Sequence, residues 1–259
     1  MKIKNKSVLM GVAMGCLLLA GTSLAADKNG RYASRAVEQT ERFHAISVQG
    51  NIEVNFVQAP QTSVYISGKE KHAAEVKTHV EEGVLYLSRA NGLGKEVHVS
   101  VSAPDLTRVT LAQKGEFNVR GALQVTKFDV LLSGESDFSA DHVKAQHINI
   151  FAQDQSEAEM ERLEAEQVKA AASGRADIDL SGLAQEVHFE NSGSGDIDAD
   201  DLRAPRGEAV VKGKGNISIS AYEALNATVL GKGKITYKGV PVSLQTSGNT
   251  QRIVQDLDD

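Results

Sequence analysis

Four aspartates in two short segments are the side chains of this chain whose spacing could support chemistry. They lie in the segments 177–180 (DIDL) and 196–199 (DIDA), where polar and apolar residues alternate. Alternation with a period of two is typical of a β-strand with one buried face, so the carboxylates should point to solvent. If the two strands stack about 4.8 Å apart, the carboxylates form one acidic face. The residues of this candidate ligand face are Asp177, Asp179, Asp196 and Asp198.

Carboxylates this close together repel one another unless solvent screens them or a hard cation such as calcium bridges them. The sequence around the aspartates contains no Asp-rich nonapeptide repeat and no closed calcium-binding loop. A solvated acidic face is therefore the favoured interpretation, with calcium as the alternative. We predict no metal site and no cofactor.

Lysines follow the aspartates in the next two repeats, which raises the question of catalysis. Acids beside basic groups occur in parallel β-helix enzymes that cleave polysaccharides. Charge pairing between neighbouring rows, worth a few tenths of a kcal/mol, explains the same pattern without catalysis. Sugar-active enzymes also use aromatic platforms, and this chain has no Trp. We therefore predict that the protein is not an enzyme. The lysines are Lys212, Lys214, Lys232 and Lys234.

Other residue types that often form sites are scattered. His142 and His147 are five positions apart, but the sequence places no further zinc ligands beside them. The segment 193–195 (GSG) precedes no helical pattern, so it reads as a corner and not as a phosphate-binding loop. The sequence brings together no Ser-His-Asp or Cys-His arrangement.

The segments that must position these side chains recur with a fixed period. One apolar position repeats every 18 to 21 residues, and a period near 20 is typical of a β-architecture built coil by coil. A single coil cannot bury its apolar face, whereas stacked coils bury it and pair their backbone groups. We predict an all-β fold, a right-handed parallel β-solenoid (β-helix) with about 18–21 residues per coil. The repeated position holds Phe117, Phe138, Ala158, Ile178, Ile197, Ile217, Ile235 and Ile253.

Two local features qualify this prediction. Glycines mark the corners, and we expect them to turn the chain with positive φ. The segment 156–172 (SEAEMERLEAEQVKAAA) would form a helix in isolation, yet the period passes through it unchanged. We therefore expect a solenoid coil there, with a helical insertion as the alternative. The corner glycines are Gly193, Gly195, Gly213, Gly215, Gly231 and Gly233.

The first 25 residues have the pattern of a secretory signal peptide. Three lysines precede a mostly apolar run, and small residues occupy the positions that favour cleavage after Ala25. Acylation at Cys16, as in a lipoprotein, is the disfavoured alternative because the preceding residues form a poor lipobox. We expect residues 26–42 to be a flexible lead-in and residues 43–255 to form a single domain, with N-terminal strands and a cap in 43–112 and regular coils in 113–255.

Composition narrows the possible partners. The chain has a net charge of −6, which becomes −9 when Lys2, Lys4 and Lys6 are removed with the signal. An acidic surface disfavours nucleic acids and anionic lipids, which both bind through cationic contacts. Cys16 is the only cysteine, so no disulfide is expected in the exported chain. No other segment is apolar enough to span a membrane stably after cleavage.

Six segments resemble the GIN-domain family of bacterial secreted proteins, whose members are described as autotransporter adhesin head domains. The resemblance extends from Phe43 to Val254 and lies in structural glycines and aliphatic residues. It implies a β-solenoid and, by the family's description, adhesion. The segments are FHAISVQGNIEVNFVQ, VEEGVLYLS, VHVSVSAPDLTRV, SGSGDI, GKGNI and GKGKITYKG.

The sequence thus predicts a periplasmic or extracellular binding module, adhesin-like, with the flank of the solenoid as its contact surface. Its partner is left open among a glycan, a protein and another component of the cell envelope. A structural component that self-assembles into a homo-oligomer is the second hypothesis. An enzyme that acts on polysaccharides is the third.

Overall fold

The computed structural model of the protein describes residues 32–37, 41–90 and 97–257. The predicted signal peptide, with Cys16 and the cleavage position after Ala25, lies outside the described residues. In the part of the chain that is described, no helix is long and apolar enough to cross a membrane.

The regular secondary structure of the described residues is almost entirely β-strand, with one helical turn, α1 (Glu70–Ala73), and one 3-10 turn, Thr250–Arg252. The strands are β1 (Tyr32–Ala36), β2 (Ala45–Gln49), β3 (Ile52–Gln58), β4 (Ser63–Lys69), β5 (Val76–Glu81), β6 (Val84–Arg89), β7 (Val97–Ala103), β8 (Arg108–Ala112), β9 (Gly115–Gln124), β10 (Lys127–Leu132), β11 (Asp137–Ala152), β12 (Glu157–Ala172), β13 (Asp177–Asn191), β14 (Ile197–Val211), β15 (Ile217–Val229), β16 (Ile235–Lys238), β17 (Ser243–Gly248) and β18 (Ile253–Gln255).

The strands form a parallel β-solenoid of about seven turns, which confirms the predicted fold class. From β8 onwards every strand pairs in parallel with the strand one turn away. The predicted apolar position is confirmed along the whole stack. Phe138 pairs with Phe117 and Ala158, and Ile235 pairs with Ile217 and Ile253. The right-handed winding stays a prediction.

The core is the column of side chains at this repeated position together with its neighbours on the same face. Phe117 stacks between Phe56 and Phe138, with ring centroids 6.2 and 6.1 Å apart. Ile197, Ile217 and Ile235 continue the column and are fully buried. Burying each such side chain contributes about 1.5–3 kcal/mol, so this column supplies much of the stability.

The segment with helical composition is strand β12, as the period predicted. Its inward side chains, Ala158, Met160 and Leu163, are buried, and its glutamates point outward. β12 pairs with β11 on one edge and with β13 on the other. Hydrogen bonds on both edges and burial on one face outweigh the helix propensity of its residues.

The N-terminal coils are not stacked in the order in which they occur along the chain, and the sequence did not predict this. The coil of β2 and β3 lies between the coil of β6 and β7 and the coil of β8 and β9. β4 and β5 run antiparallel to β7 and β6 at this end. β1 pairs antiparallel with β4, so Tyr32–Ala36 is a strand inside the segment for which the sequence predicted a flexible lead-in. The exposed edge of β4 supplies the hydrogen-bond partners that order them.

The predicted role of the corner glycines is also corrected. None of the six has a positive φ. The left-handed conformation occurs instead in earlier rows of the same corner, at Gln113, Gly134, Asp154 and Gly174, with φ of 66 to 81°. The six glycines are needed because neighbouring backbones approach too closely for a side chain. A Cβ on Gly215 would lie 2.8 Å from the carbonyl carbon of Gly195 and closer still to its oxygen.

We predict that Gly215→Ala lowers the free energy of unfolding by about 2 kcal/mol or more, because the added methyl group meets rigid backbone. The midpoint of thermal unfolding should fall by roughly 4–8 °C. Ser194→Ala, in the preceding row of the same corner, is the control, since it adds no atom against the backbone and removes only one exposed hydrogen bond, to Gly174 O. Equal midpoints for the two variants in thermal unfolding would contradict the close approach.

Candidate functional site

Asp177 and Asp196, two of the four candidate aspartates, belong to a hydrogen-bonded ladder along the stack. The Asp196 N–H donates to Asp177 Oδ1 at 2.7 Å, and the Asn216 N–H donates to Asp196 Oδ1 at 2.7 Å. One row further, the Lys234 N–H donates to Asn216 Oδ1 at 3.1 Å. Each side-chain oxygen therefore satisfies a backbone N–H of the next row at the start of its strand. This contact gives both aspartates a structural role.

Asp179 and Asp198 lie on the same solvent-facing side, two residues further along their strands. They pair directly across β13 and β14, and Glu159 lies beside Asp179 in the preceding row. Partial burial raises the pKa of Asp179, and the carboxylates of Asp198 and Glu159 raise it further. Burial and the carboxylate of Asp200 likewise raise the pKa of Asp198. These carboxyl groups are thus held closer to the neutral form than ordinary aspartates.

One cation lies at the edge of this acidic column. Lys238 Nζ lies 2.7 Å from Asp200 Oδ2 and 3.9 Å from Asp201 Oδ1. Within the described residues there is no group of three or more His, Cys, Asp or Glu that could hold a metal ion. The structure thus places the four aspartates on one face in adjacent rows, and their role as a ligand face stays a prediction.

The raised pKa of Asp179 predicts how stability depends on pH. Because the folded-state pKa exceeds that of the unfolded chain, the charged carboxyl destabilises the folded state at neutral pH. This cost declines as the pH falls through the folded-state pKa and is absent below the unfolded value of about 3.9. Asp179→Asn should therefore raise the unfolding midpoint at pH 7 by about 1–3 °C and leave it unchanged near pH 3.

Asp177→Asn is the matched control, because it removes one charge from the same strand and keeps the oxygen that accepts the Asp196 N–H. Thermal unfolding from pH 3 to pH 7 checks the comparison. A gain for Asp179→Asn that persisted at pH 3 would rule out relief of carboxylate repulsion as its cause.

A second charged feature, which we call the lysine corner, consists of Lys212, Lys214, Lys232 and Lys234. Backbone hydrogen bonds from Lys214 to Gly193 O and from Lys232 to Gly213 O, both 2.7 Å, fix the register of this corner. They place Lys232 directly beside Lys214 in the next row. The four side chains are exposed. The like charges of Lys214 and Lys232 therefore lie one row apart, about 4.8 Å.

The lysine corner borders an open concavity of about 650 Å³. The absence of side chains on four stacked glycines leaves this space free, and lysines surround it. Leu230 adds an exposed apolar side chain at its rim. Besides Lys212, Lys214 and Lys232, the concavity is lined by Gly174, Ser192, Gly193, Ser194, Gly213, Leu230 and Gly231.

The predicted pairing of these lysines with the aspartates is wrong. Lys212 Nζ pairs with Glu190 Oε1 at 2.7 Å. Lys214, Lys232 and Lys234 form no ion pair within the described part of the chain. The reason is positional, because Lys214 and Lys232 lie at the tip of the corner, two residues before the column that contains Asp196. The sequence interpretation therefore missed this group of stacked lysines without carboxylate partners, although the spacing of Lys214 and Lys232, 18 residues or one period, was a signal for it.

A larger concavity lies at a different corner, with a volume of about 910 Å³. Gln58 crosses it and donates to Pro104 O at 3.0 Å and to Gln124 O at 3.1 Å. Its two lysines are neutralised, since Lys127 pairs with Asp129 and Lys144 with Glu164. The lining combines polar and apolar side chains and has no aromatic ring: Gln58, Asp105, Thr107, Gln124, Val125, Thr126, Lys127, Lys144, Ala145, Gln146, Glu164, Ala165 and Glu166.

The histidines remain apart, as the sequence indicated. His142 Nε2 lies 3.5 Å from Glu164 Oε1, and His188 Nδ1 lies 3.0 Å from Glu208 Oε2. His147 lies at another open corner, beside Glu166 and Arg206. Each of these histidines thus has neighbours of its own, and none joins the lysine corner.

Comparison with known proteins gives one family and several solved structures. The model of the family described as "Putative auto-transporter adhesin, head GIN domain" matches residues 42–241. A "putative adhesin" from Parabacteroides distasonis ATCC 8503 has a TM-score of 0.79 and 21% identity, covering 88% of this chain and 98% of that chain. One from Parabacteroides merdae ATCC 43184 has a TM-score of 0.78 and 20% identity, covering 88% and 97%.

A third solved structure carries a different description. It is a "Putative lipid binding protein" from Parabacteroides distasonis ATCC 8503, with a TM-score of 0.77 and 19% identity over 88% of this chain and 98% of that chain. At these identities the likeness shows the fold. No curated protein matches the chain.

Proposed function

We propose that this chain, which belongs to the family of the auto-transporter adhesin head GIN domain, is a secreted, non-enzymatic, adhesin-like module that binds a partner of the cell envelope. The resemblance first seen in the sequence is confirmed by the match over residues 42–241. The predicted signal peptide, with cleavage after Ala25, would deliver the domain to the periplasm or the cell exterior. The contact surface is a flank of the solenoid.

The lysine corner is the part of the flank that we assign to the partner. The observation that carries this assignment is the direct stacking of Lys214 on Lys232 beside a concavity of about 650 Å³. Like charges that face each other across neighbouring strands destabilise a sheet. A bound anion removes this repulsion, so the corner gains stability when an acidic ligand is present.

An acidic glycan fits this surface better than a nucleic acid does. Duplex DNA carries one charge per about 1.7 Å, and a protein that binds it needs an extended cationic surface. Here the stacked lysines occupy one corner of a chain whose net charge is −6. A densely charged polymer would therefore be repelled by the acidic surface beyond this corner. A polymer of uronic or sulfated sugars has more widely spaced charges, and its hydroxyl groups can bond the serines of the concavity.

The test is binding of the purified protein to immobilised polygalacturonate, hyaluronate and heparin, with dextran as the neutral glycan. We expect binding to one or more acidic glycans, none to dextran, and an affinity that falls as sodium chloride rises from about 50 to 300 mM. Lys214→Gln combined with Lys232→Gln should weaken binding roughly tenfold, since both lysines lose their charged contact with the glycan.

The matched control is Lys127→Gln combined with Lys144→Gln. It removes the same two charges, but from lysines that are already paired with Asp129 and Glu164. Its affinity should stay within about twofold of the parent protein. Equal losses in both double variants would mean that net charge, and not the lysine corner, governs binding. Absence of binding to all three acidic glycans would overturn the assigned ligand class.

A further inference from the structure

The C-terminal end of the solenoid exposes a sheet edge. β17 pairs in parallel with β15, with Ser243 to Gly248 opposite Ala224 to Val229. No strand among the described residues pairs with the other edge of β17, and all six of its residues are exposed. Its outward-facing backbone groups are therefore available to a further strand, which is the arrangement that other proteins use to add a strand from a partner.

This edge lacks the features that normally prevent pairing between molecules. Exposed edge strands usually carry charged side chains, proline or a bulge. β17 contains no charged residue and no proline, and the whole segment 239–251 (GVPVSLQTSGNTQ) is uncharged in a chain that is 24% charged. Two copies of this segment can therefore approach each other without the repulsion that acidic surfaces elsewhere would produce.

Apolar side chains collect around the same edge. In the segment that leads into β17, Val242 is 92% exposed and Val240 is 80% exposed. Leu244 stacks on the fully buried Leu225 and is itself 43% exposed, because no further row covers it. The buried column that contains Leu225 thus ends with an open aliphatic surface beside an open strand edge.

The opposite end of the stack is different. Its outer strands are β1 and β5, which run antiparallel to their neighbours. They carry Arg35, Lys77 and Glu81, which are charges of the kind that protect an edge. At the C-terminal end, β18 is flanked by Arg252 and Asp256, and β17 is the uncharged strand. A head-to-tail contact would bring the charges of β1 and β5 against β17, whereas a tail-to-tail contact through β17 joins two uncharged strands.

We propose that the C-terminal edge binds a second copy of this chain, with β17 of one protomer pairing antiparallel with β17 of its partner about a two-fold axis. A two-fold axis brings the same surface of both protomers together, so the assembly closes as a dimer and does not grow into a filament. The paired strands join the two sheets, and each Leu244 is covered by the aliphatic side chains of the other copy. This inference is independent of the glycan ligand proposed above.

The test is sedimentation equilibrium of the protein from about 1 to 200 μM. We expect a monomer–dimer equilibrium in this range, because one strand pair with a small apolar surface makes a modest interface. Gln245, near the middle of β17, lies close to its own symmetry mate, so Gln245→Lys and Gln245→Glu should each weaken the dimer at least tenfold. An equimolar mixture of the two variants should restore it, since opposite charges then meet.

Asn226→Lys is the matched control. Asn226 pairs with Gln245 in the row before and is also exposed, but it lies inside the stack and away from the edge. It should leave the dimer unchanged, and circular dichroism checks that all variants are folded. A protein that stays monomeric up to 200 μM would overturn the proposal. So would a dimer that Gln245→Lys leaves intact, or a mixture of the two charge variants that remains monomeric.

Discussion

The distance between neighbouring rows, about 4.8 Å in any β-sheet, constrains every other feature of this solenoid. The closest non-local neighbours of each residue are the residues about one period before and after it. Each side chain must therefore pack against the side chains at the same position in the neighbouring rows. Aliphatic and aromatic side chains meet this condition well, as in the column from Phe117 to Ile235. At the corners a Cβ would point into the backbone of the preceding row, and Gly195, Gly215 and Gly233 follow one another there.

The same constraint turns a periodic sequence into columns of like chemistry on the outer surface. Where a column contains carboxylate or amide oxygens at the start of a strand, as at Asp177, Asp196 and Asn216, each oxygen can accept the N–H of the next row. Where a column contains groups that cannot bond one another, as at Asp179 and Asp198 or at Lys214 and Lys232, the repulsion remains. Columns of the first kind stabilise the stack, and columns of the second kind are the places where an external ligand can change its stability.

The sequence predicted those features that depend on the period alone. The fold class, the apolar column and the strand conformation of Glu157–Ala172 all follow from residues about 20 positions apart, and the structure confirms them. The sequence could not predict that β2 and β3 lie between later coils, because its period does not specify the order in which these N-terminal coils stack. The predicted reason for the corner glycines, a positive φ, was wrong. A sequence indicates that glycine is required at a position, but not whether a positive φ or the close approach of another backbone requires it. The lysine corner was missed because the charges were assigned to the wrong column.

The magnitudes explain why such a scaffold tolerates charged columns at all. Each buried side chain in the apolar column contributes about 1.5–3 kcal/mol, whereas a like-charged pair across neighbouring strands costs about 0.2–1 kcal/mol. Because stability in a repeat architecture is close to a sum over rows and their neighbours, one inward residue per row offsets several unfavourable outward contacts. Outward positions can therefore diverge in charge without loss of the fold. The two ends are the exception, since a terminal row has a neighbour on one side only. The edge at β5 is charged, whereas β17 is uncharged and would be protected by the partner strand proposed above.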